Sequence, residues 1–214
     1  MSWFSKVVWS EGLFLRPQHF QQQDRHTEWF VEARAQALGG LYWGFTHLEA
    51  DEAALGTGKL ALSADRGVLP DGNPFEFPSA HPAPLALDIP ADTKNAVVYL
   101  VLPLRRSQST EAAPPADSAA HLARYTPVEQ QIVDSATSDN TTEPIEVGQP
   151  RLRLALADQV SDAFVRIGVV RIVERRPDNS LLIDKGYIPP VLACRVSPVL
   201  AGFLREVRGL LGQR

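Results

Sequence analysis

Apolar residues alternate with polar ones over most of the middle of the chain, and they follow a helical period only towards its two ends. Arg151 to Leu156 alternates strictly, with Leu152, Leu154 and Leu156 on the inward side and Arg151, Arg153 and Ala155 on the outward side. Ala96 to Leu104 is a continuous apolar run of strand length, which predicts the centre of a sheet with Pro103 at its end. The pattern predicts a mainly β protein built as an antiparallel β-sandwich.

Further strands are predicted where β-forming residues lie between turn signals. The clearest turn is Pro70 to Pro74, and His121 to Ala136 forms either one long strand or two short ones interrupted near Pro127. In the strand from Phe164 to Val173, one face is predicted to carry Val165, Ile167, Val169 and Arg171. The remaining predicted strands are Leu41–Glu49, Gly58–Asp65, Val68–Leu69, Phe75–Phe77 and Leu181–Ile183.

Two helices are predicted, one at each end of the β region. The first covers Pro17 to Leu38 and ends at Gly39-Gly40, because glycine readily takes the left-handed conformation common at helix C-termini. The second is capped by Ser197 and begins at Pro198. Its wide apolar stripe indicates packing on its own domain or against copies of itself, and comprises Val199, Leu200, Phe203, Leu204, Val207, Leu210 and Leu211.

Composition narrows the class of protein. The 214 residues are 44% hydrophobic and 21% charged, as in ordinary globular proteins, and the formal charge of -4 argues against nucleic acid as a partner. The single cysteine, Cys194, is predicted to be a buried structural thiol in a reducing compartment. With no signal peptide and no apolar run of about 18 residues, we expect a cytoplasmic protein that does not insert into a membrane.

The segment from Ser107 to Ser118 is rich in alanine, proline and serine and poor in large apolar residues. Such a composition offers little apolar surface to offset the entropy of ordering, so it predicts a mobile loop.

Candidate chemistry is sparse. Gly56-Thr57-Gly58-Lys59 has the wrong spacing for a phosphate-binding loop. Glu28 and Glu32 lie one helical turn apart, which favours a solvated helix face over a catalytic pair. The five histidines lack zinc-ligand spacing and comprise His19, His26, His47, His81 and His121. We therefore predict a protein that is not an enzyme and that has no catalytic residues, cofactor or metal site.

The stretch VVWSEGLFLRPQHFQQQD, from Val7 to Asp24, closely resembles the opening of the TssK family, the trimeric baseplate subunit of the bacterial type VI secretion apparatus. The family pattern is W-x-E-G-[ML]-x-L-x-P-Q-H-F-Q-x-x-D. A weaker similarity lies at Tyr187-Ile188-Pro189-Pro190, where that family leaves its β region for a helical neck. The resemblance implies a non-enzymatic structural subunit whose shoulder domain is like that of phage receptor-binding proteins.

The resemblance also implies a division of the chain and a set of partners. Residues 1–40 would form an arm and helix, residues 41–190 the shoulder sandwich, and residues 191–214 the start of the neck. The partners would be two further copies in a homotrimer and baseplate wedge proteins like TssF and TssG. A membrane-complex contact would belong to a C-terminal head that is not among these 214 residues.

Two sets of side chains are predicted to carry these contacts. Large apolar residues of the opening arm are expected to contribute binding energy, and they comprise Trp3, Phe4, Trp9, Phe14 and Leu15. For Trp9 and Phe14 an alternative stays open, in which they pack on the chain's own sandwich and hold the start of the helix at Pro17. The neck helix is expected to self-associate through Leu200, Phe203, Leu204, Val207 and Leu211.

A different class of function remains open at this point. Trp43, Tyr42 and Phe75 could stack on a sugar ring if they were exposed on one surface, as in a small-molecule or carbohydrate-binding β-sandwich. Aromatic residues at strand spacing are more often part of a core.

Overall fold

The computed structural model describes residues 3–107, 109–136 and 140–212, and it divides the chain into two compact units, Met1–Tyr42 and Trp43–Arg214. The first unit contains helix α1, Pro17–Ala37. Pro17 begins this helix, and the Arg16 N–H is satisfied by Nδ1 of His19 at 3.1 Å. Gly39 and Gly40 follow with φ of 73° and 78°, so the predicted helix end is confirmed.

The second unit is mostly strands in antiparallel sheets. Its elements are β1 (Gly44–His47), α2 (Glu52–Leu55), β2 (Lys59–Leu60), β3 (Asp65–Val68), β4 (Pro74–Phe77), β5 (Leu87–Asp88), β6 (Lys94–Pro103), β7 (Tyr125–Val133), β8 (Thr142–Pro150), β9 (Arg153–Leu156), β10 (Phe164–Arg175), β11 (Leu181–Ile183) and α3 (Pro198–Gly212).

A three-stranded sheet, β1-β3-β4, and a four-stranded sheet, β11-β10-β6-β9, enclose one apolar core. Phe45, Phe75 and Phe77 of the first sheet belong to the same buried cluster as Leu100 and Ile167 of the second. Pairs β2-β5 and β7-β8 form two further ribbons. The predicted antiparallel sandwich is confirmed, and β6 lies inside its sheet with Pro103 as its last residue.

Strand β10 departs from simple alternation. Gly168 pairs with Tyr99 and Val170 with Val98, so Val169 is an extra residue in the ladder. A bulge of this kind reverses which side chains point inward. Ile172 is therefore fully buried, and the prediction that Arg171 shares the face of Val169 is wrong.

The β7-β8 ribbon includes a strand that the sequence pattern did not predict. Nine residue pairs join Tyr125–Val133 to Thr142–Pro150, with Pro127 opposite Gly148. Strand β7 is thus one uninterrupted strand. Each strand of a two-stranded ribbon has a free edge, so a proline costs no ladder bond when its nitrogen faces that edge. Strand β8 is hard to predict from the sequence because it contains prolines and glutamates, and only Ile145 and Val147 follow the apolar–polar alternation of a strand.

The alanine- and proline-rich segment is more ordered than predicted. Residue 108 lies outside the described residues, but beyond it Ala113 is 1% exposed and packs with Ala120 and Ala123. The Ala113 N–H donates to the Tyr125 carbonyl, and Arg151 Nη2 donates to the Ala113 carbonyl. Small side chains suffice here because backbone hydrogen bonds anchor the segment.

The residues that lead into α3 run beside β1. The Phe45 N–H donates to the Pro190 carbonyl at 2.9 Å, and the Leu192 N–H donates to the Phe45 carbonyl at 2.8 Å. Gly44 permits this approach, since a Cβ there would lie 3.0 Å from the backbone of Val191. Cys194 then occupies a 3₁₀ turn, Cys194–Val196, and is exposed, so the prediction of a buried thiol is wrong. That short turn runs along the surface.

Candidate interaction surfaces

The first residues of the arm pack on α1. The Arg25 guanidinium lies 4.4 Å from the centre of the Trp3 ring, and Phe4 stacks on Trp29 with ring centroids 5.9 Å apart. Gln22 Nε2 donates to the carbonyl oxygens of Trp3 and Ser5, at 3.1 and 2.6 Å. Trp3 and Phe4 therefore contribute to the first unit's own packing, and their share in binding stays a prediction.

The later residues of the arm are more exposed to solvent. Phe14 is 81% exposed, Leu15 54% and Trp9 50%. Trp9 still approaches the rings of His19 and Phe20, with centroids 6.2 and 6.4 Å apart. Since side chains as large and apolar as Phe14 are common anchors of protein interfaces, this end of the arm is the better candidate for a contact surface.

Helix α3 presents an uncovered apolar stripe. Its described residues include no buried side chain, although Leu200 and Val207 are partly covered. Phe203 is 61% exposed, Leu204 44% and Leu211 69%. A 15-residue helix is marginally stable alone in water, so the stripe is a second candidate contact surface.

The alternative aromatic platform is not formed as the sequence suggested. Phe75 is 2% exposed and meets Phe45 edge to face, at a centroid distance of 5.6 Å. A buried ring cannot stack on a sugar, so Phe75 cannot be one of the sugar-stacking residues.

Groups that could carry chemistry are dispersed. Among the described residues, no three His, Cys, Asp or Glu side chains converge as metal ligands would. Glu32 accepts a hydrogen bond from Gln36 Nε2 at 2.9 Å on the exposed face of α1. In the described part of the chain, no helix combines the length and apolarity needed to cross a bilayer.

Comparison with known proteins identifies the family of this chain. The profile of a bacterial type VI secretion family, which includes EvfL, ImpJ and VasE, matches residues 19–214. The chain belongs to this family, known as TssK. The resemblance of the opening motif to TssK is therefore confirmed.

The TssK-family relatives match all or nearly all of this chain. The type VI secretion system baseplate component TssK1 of Pseudomonas aeruginosa is 41% identical over 214 residues, which are 100% of this chain and 48% of that protein. A crystal structure of TssK matches with a TM-score of 0.89 and 39% identity, over 98% of this chain and 47% of that one. This chain thus spans about half the length of those relatives.

A TssK-TssF-TssG baseplate subcomplex solved by cryo-electron microscopy also matches, with a TM-score of 0.83 and 25% identity over 95% of this chain and 67% of that one. The whole β region is shared with these TssK structures. The family assignment therefore rests on the full fold and not on the opening motif alone.

Proposed function

We propose that this TssK-family chain is a structural, non-enzymatic subunit of the type VI secretion baseplate, working in the cytoplasm. The supporting observation is its similarity, over 95% of its length, to a TssK in a complex with TssF and TssG. Residues 1–40 would serve as arm and helix, residues 41–190 as the shoulder and residues 191–214 as the start of the neck. The two exposed apolar surfaces supply sites for the contacts such a role requires.

The stripe of α3 is the proposed site of self-association into a trimer. Leu200, Phe203, Leu204, Val207 and Leu211 fall on one side of the helix by its 3.6-residue period. Apolar surface of this kind gains about 25 cal/mol for each Å² removed from water. Three copies packed along their α3 helices would cover it.

The double substitution Leu204→Glu and Leu211→Glu should convert the trimer to monomers, because carboxylates buried in an apolar seam cost several kcal/mol. Size-exclusion chromatography with light scattering measures the outcome. Gly202→Glu with Gly209→Glu is the matched control, since both glycines lie on the opposite side of α3 and a Cβ at either would meet only open space. A trimer that survives the leucine substitutions would contradict this assignment.

The opening arm is the proposed wedge-binding element, through Phe14, Leu15 and Trp9. Trp3 and Phe4 support it from behind by packing on α1. Within the same arm, binding is thus assigned to the later residues and folding to the first ones.

Phe14→Ala with Leu15→Ala should weaken capture by a TssF–TssG complex about 30-fold, the equivalent of one hot-spot truncation of about 2 kcal/mol, and leave the melting temperature unchanged. Trp3→Ala with Phe4→Ala should instead lower the melting temperature. Val31→Ala, which shortens a side chain 61% exposed on α1, is the control for loss of any exposed apolar group. Undiminished capture by the Phe14 and Leu15 variant would remove the arm from the wedge interface.

A further inference from the structure

The two faces of the β7-β8 ribbon differ in chemistry. Side chains alternate along each strand, and Ile132 pairs directly with Glu143. The face that they share also carries Val128, Ile145 and Val147. These four apolar side chains form a strip on it, with Gln130 beside them and the Glu143 carboxylate near the open end of the ribbon. The opposite face places Glu129 directly across from Glu146.

The apolar strip is uncovered towards the open end of the ribbon, whereas Val128 and Val147 are half-buried. Ile132 is 40% exposed and Ile145 47%, and neither β7 nor β8 pairs with any other strand in the described part of the chain. Glu143 has no salt-bridge partner among the described residues. A two-stranded ribbon is only marginally stable alone in water, so a surface that covers this face would stabilise it.

The outer face of the β1-β3-β4 sheet forms a groove that complements the ribbon. Its apolar lining includes Val68, Pro74 and Ala80, and its polar lining includes Arg66, His81 and Arg195. Arg66 lies 3.9 Å from Glu76, the one carboxylate among the groove's lining residues. Arg195 is exposed and has no carboxylate within salt-bridge distance in the described ranges. The groove therefore carries an excess of positive charge beside an apolar strip.

We propose that the apolar face of the β7-β8 ribbon of one copy docks in this groove of a second copy, with Glu143 facing Arg195. The proposal rests on the self-association proposed above and names a contact beyond the α3 seam. Ile132 and Ile145 cover Val68 and Pro74, and the Glu143 carboxylate neutralises the unpaired guanidinium.

A second copy is the favoured occupant because one chain supplies both complementary surfaces. Arg195 lies three positions before Pro198, the first residue of α3, so the groove opens beside the helix assigned to the trimer seam. The ribbon is nine residues long and extends about 30 Å at 3.3 Å per residue. One ribbon and one groove per copy is a head-to-tail contact, which closes a ring when three copies surround an axis.

The test is a disulfide between copies. In a Cys194→Ser background, Glu143→Cys combined with Arg195→Cys should yield covalent dimers and trimers on non-reducing gels after mild oxidation. Glu146→Cys with Arg195→Cys is the matched control, since residue 146 lies on the other face of the ribbon, and it should not cross-link. Light scattering on the same samples reports whether the chain self-associates at all.

Charge reversal provides a second readout. Glu143→Arg should weaken association about tenfold, Arg195→Glu should do the same, and the two together should restore it, because only the double variant recreates an opposite-charge pair. Circular dichroism checks that each variant is folded. A trimer without the 143–195 cross-link and without charge-swap rescue would overturn the ribbon contact alone, whereas a monomeric parent chain would overturn the self-association proposal and the ribbon contact with it.

Discussion

Arg124→Met should lower the free energy of unfolding of the second unit by about 3 kcal/mol, near the lower end of the cost of breaking a buried ion pair. The Arg124 side chain is 3% exposed. Its Nη2 donates to Asp71 Oδ2 and its Nη1 to the Pro103 carbonyl, both at 2.7 Å. This guanidinium joins the β3-β4 turn to the end of β6, and methionine fills the space without either bond.

Urea unfolding measures the effect, with Arg176→Met as the control because Arg176 is an exposed residue in the turn after β10. A double-mutant cycle with Asp71→Asn should give a coupling energy of about 1–3 kcal/mol, since the two groups touch. Equal midpoints for the wild type and Arg124→Met would show that this pair contributes no net stability.

The second large effect is a loss of stability as the pH rises, and it arises from Asp65. Burial raises the pKa of Asp65 from 3.8 to about 7; the hydrogen bond from the Glu49 N–H opposes the rise and the nearby Glu49 carboxylate adds to it. Asp65 is 1% exposed, and its Oδ1 accepts from the Glu49 N–H at 2.6 Å. Its Oδ2 has no hydrogen-bond partner in the described structure. The folded state thus favours the protonated carboxyl.

Proton binding by Asp65 determines whether stability rises or falls with pH. Between pH 4 and 7 the folded chain holds a proton on Asp65 that the unfolded chain has lost, so stability falls as the pH rises through this range. The contribution is full below about pH 4 and is lost above about pH 7, a change on the order of a few kcal/mol at about 1.4 kcal/mol per pKa unit.

Asp65→Asn resembles the protonated acid at every pH, so its stability relative to the wild type should increase from pH 5 to pH 8. Urea midpoints of both proteins at several pH values measure that difference, and the comparison cancels groups that titrate in both. A difference that stays constant over this range would mean that Asp65 titrates normally.

Much of this protein could be predicted from local patterns. Strict alternation at Arg151 to Leu156 and the apolar run at Ala96 to Leu104 predicted core strands that the structure contains as β9 and β6. Pro17, Gly39 and Gly40 marked the limits of α1, because proline and glycine act on the backbone regardless of tertiary context. The motif from Val7 to Asp24 was specific enough to identify the family.

Other features depend on contacts that local patterns do not encode. The bulge at Val169 reverses the faces of β10, and it arises from pairing with β6 some 70 residues earlier. Backbone hydrogen bonds to Tyr125 and Arg151 anchor Ala113 despite its weak apolar character. Strand β8 forms because its residues find partners along β7 and not because their own propensities favour a strand.

The sequence by itself determined the family, the β class and the two end helices, since these follow from short-range periodicity and a contiguous motif. Only the tertiary structure decided which apolar residues are covered. Phe75 is buried in the core, whereas Phe14 and Phe203 remain exposed, although all three are phenylalanines. Whether a side chain is buried depends on the residues that pack against it, and those residues are distant from it in the sequence.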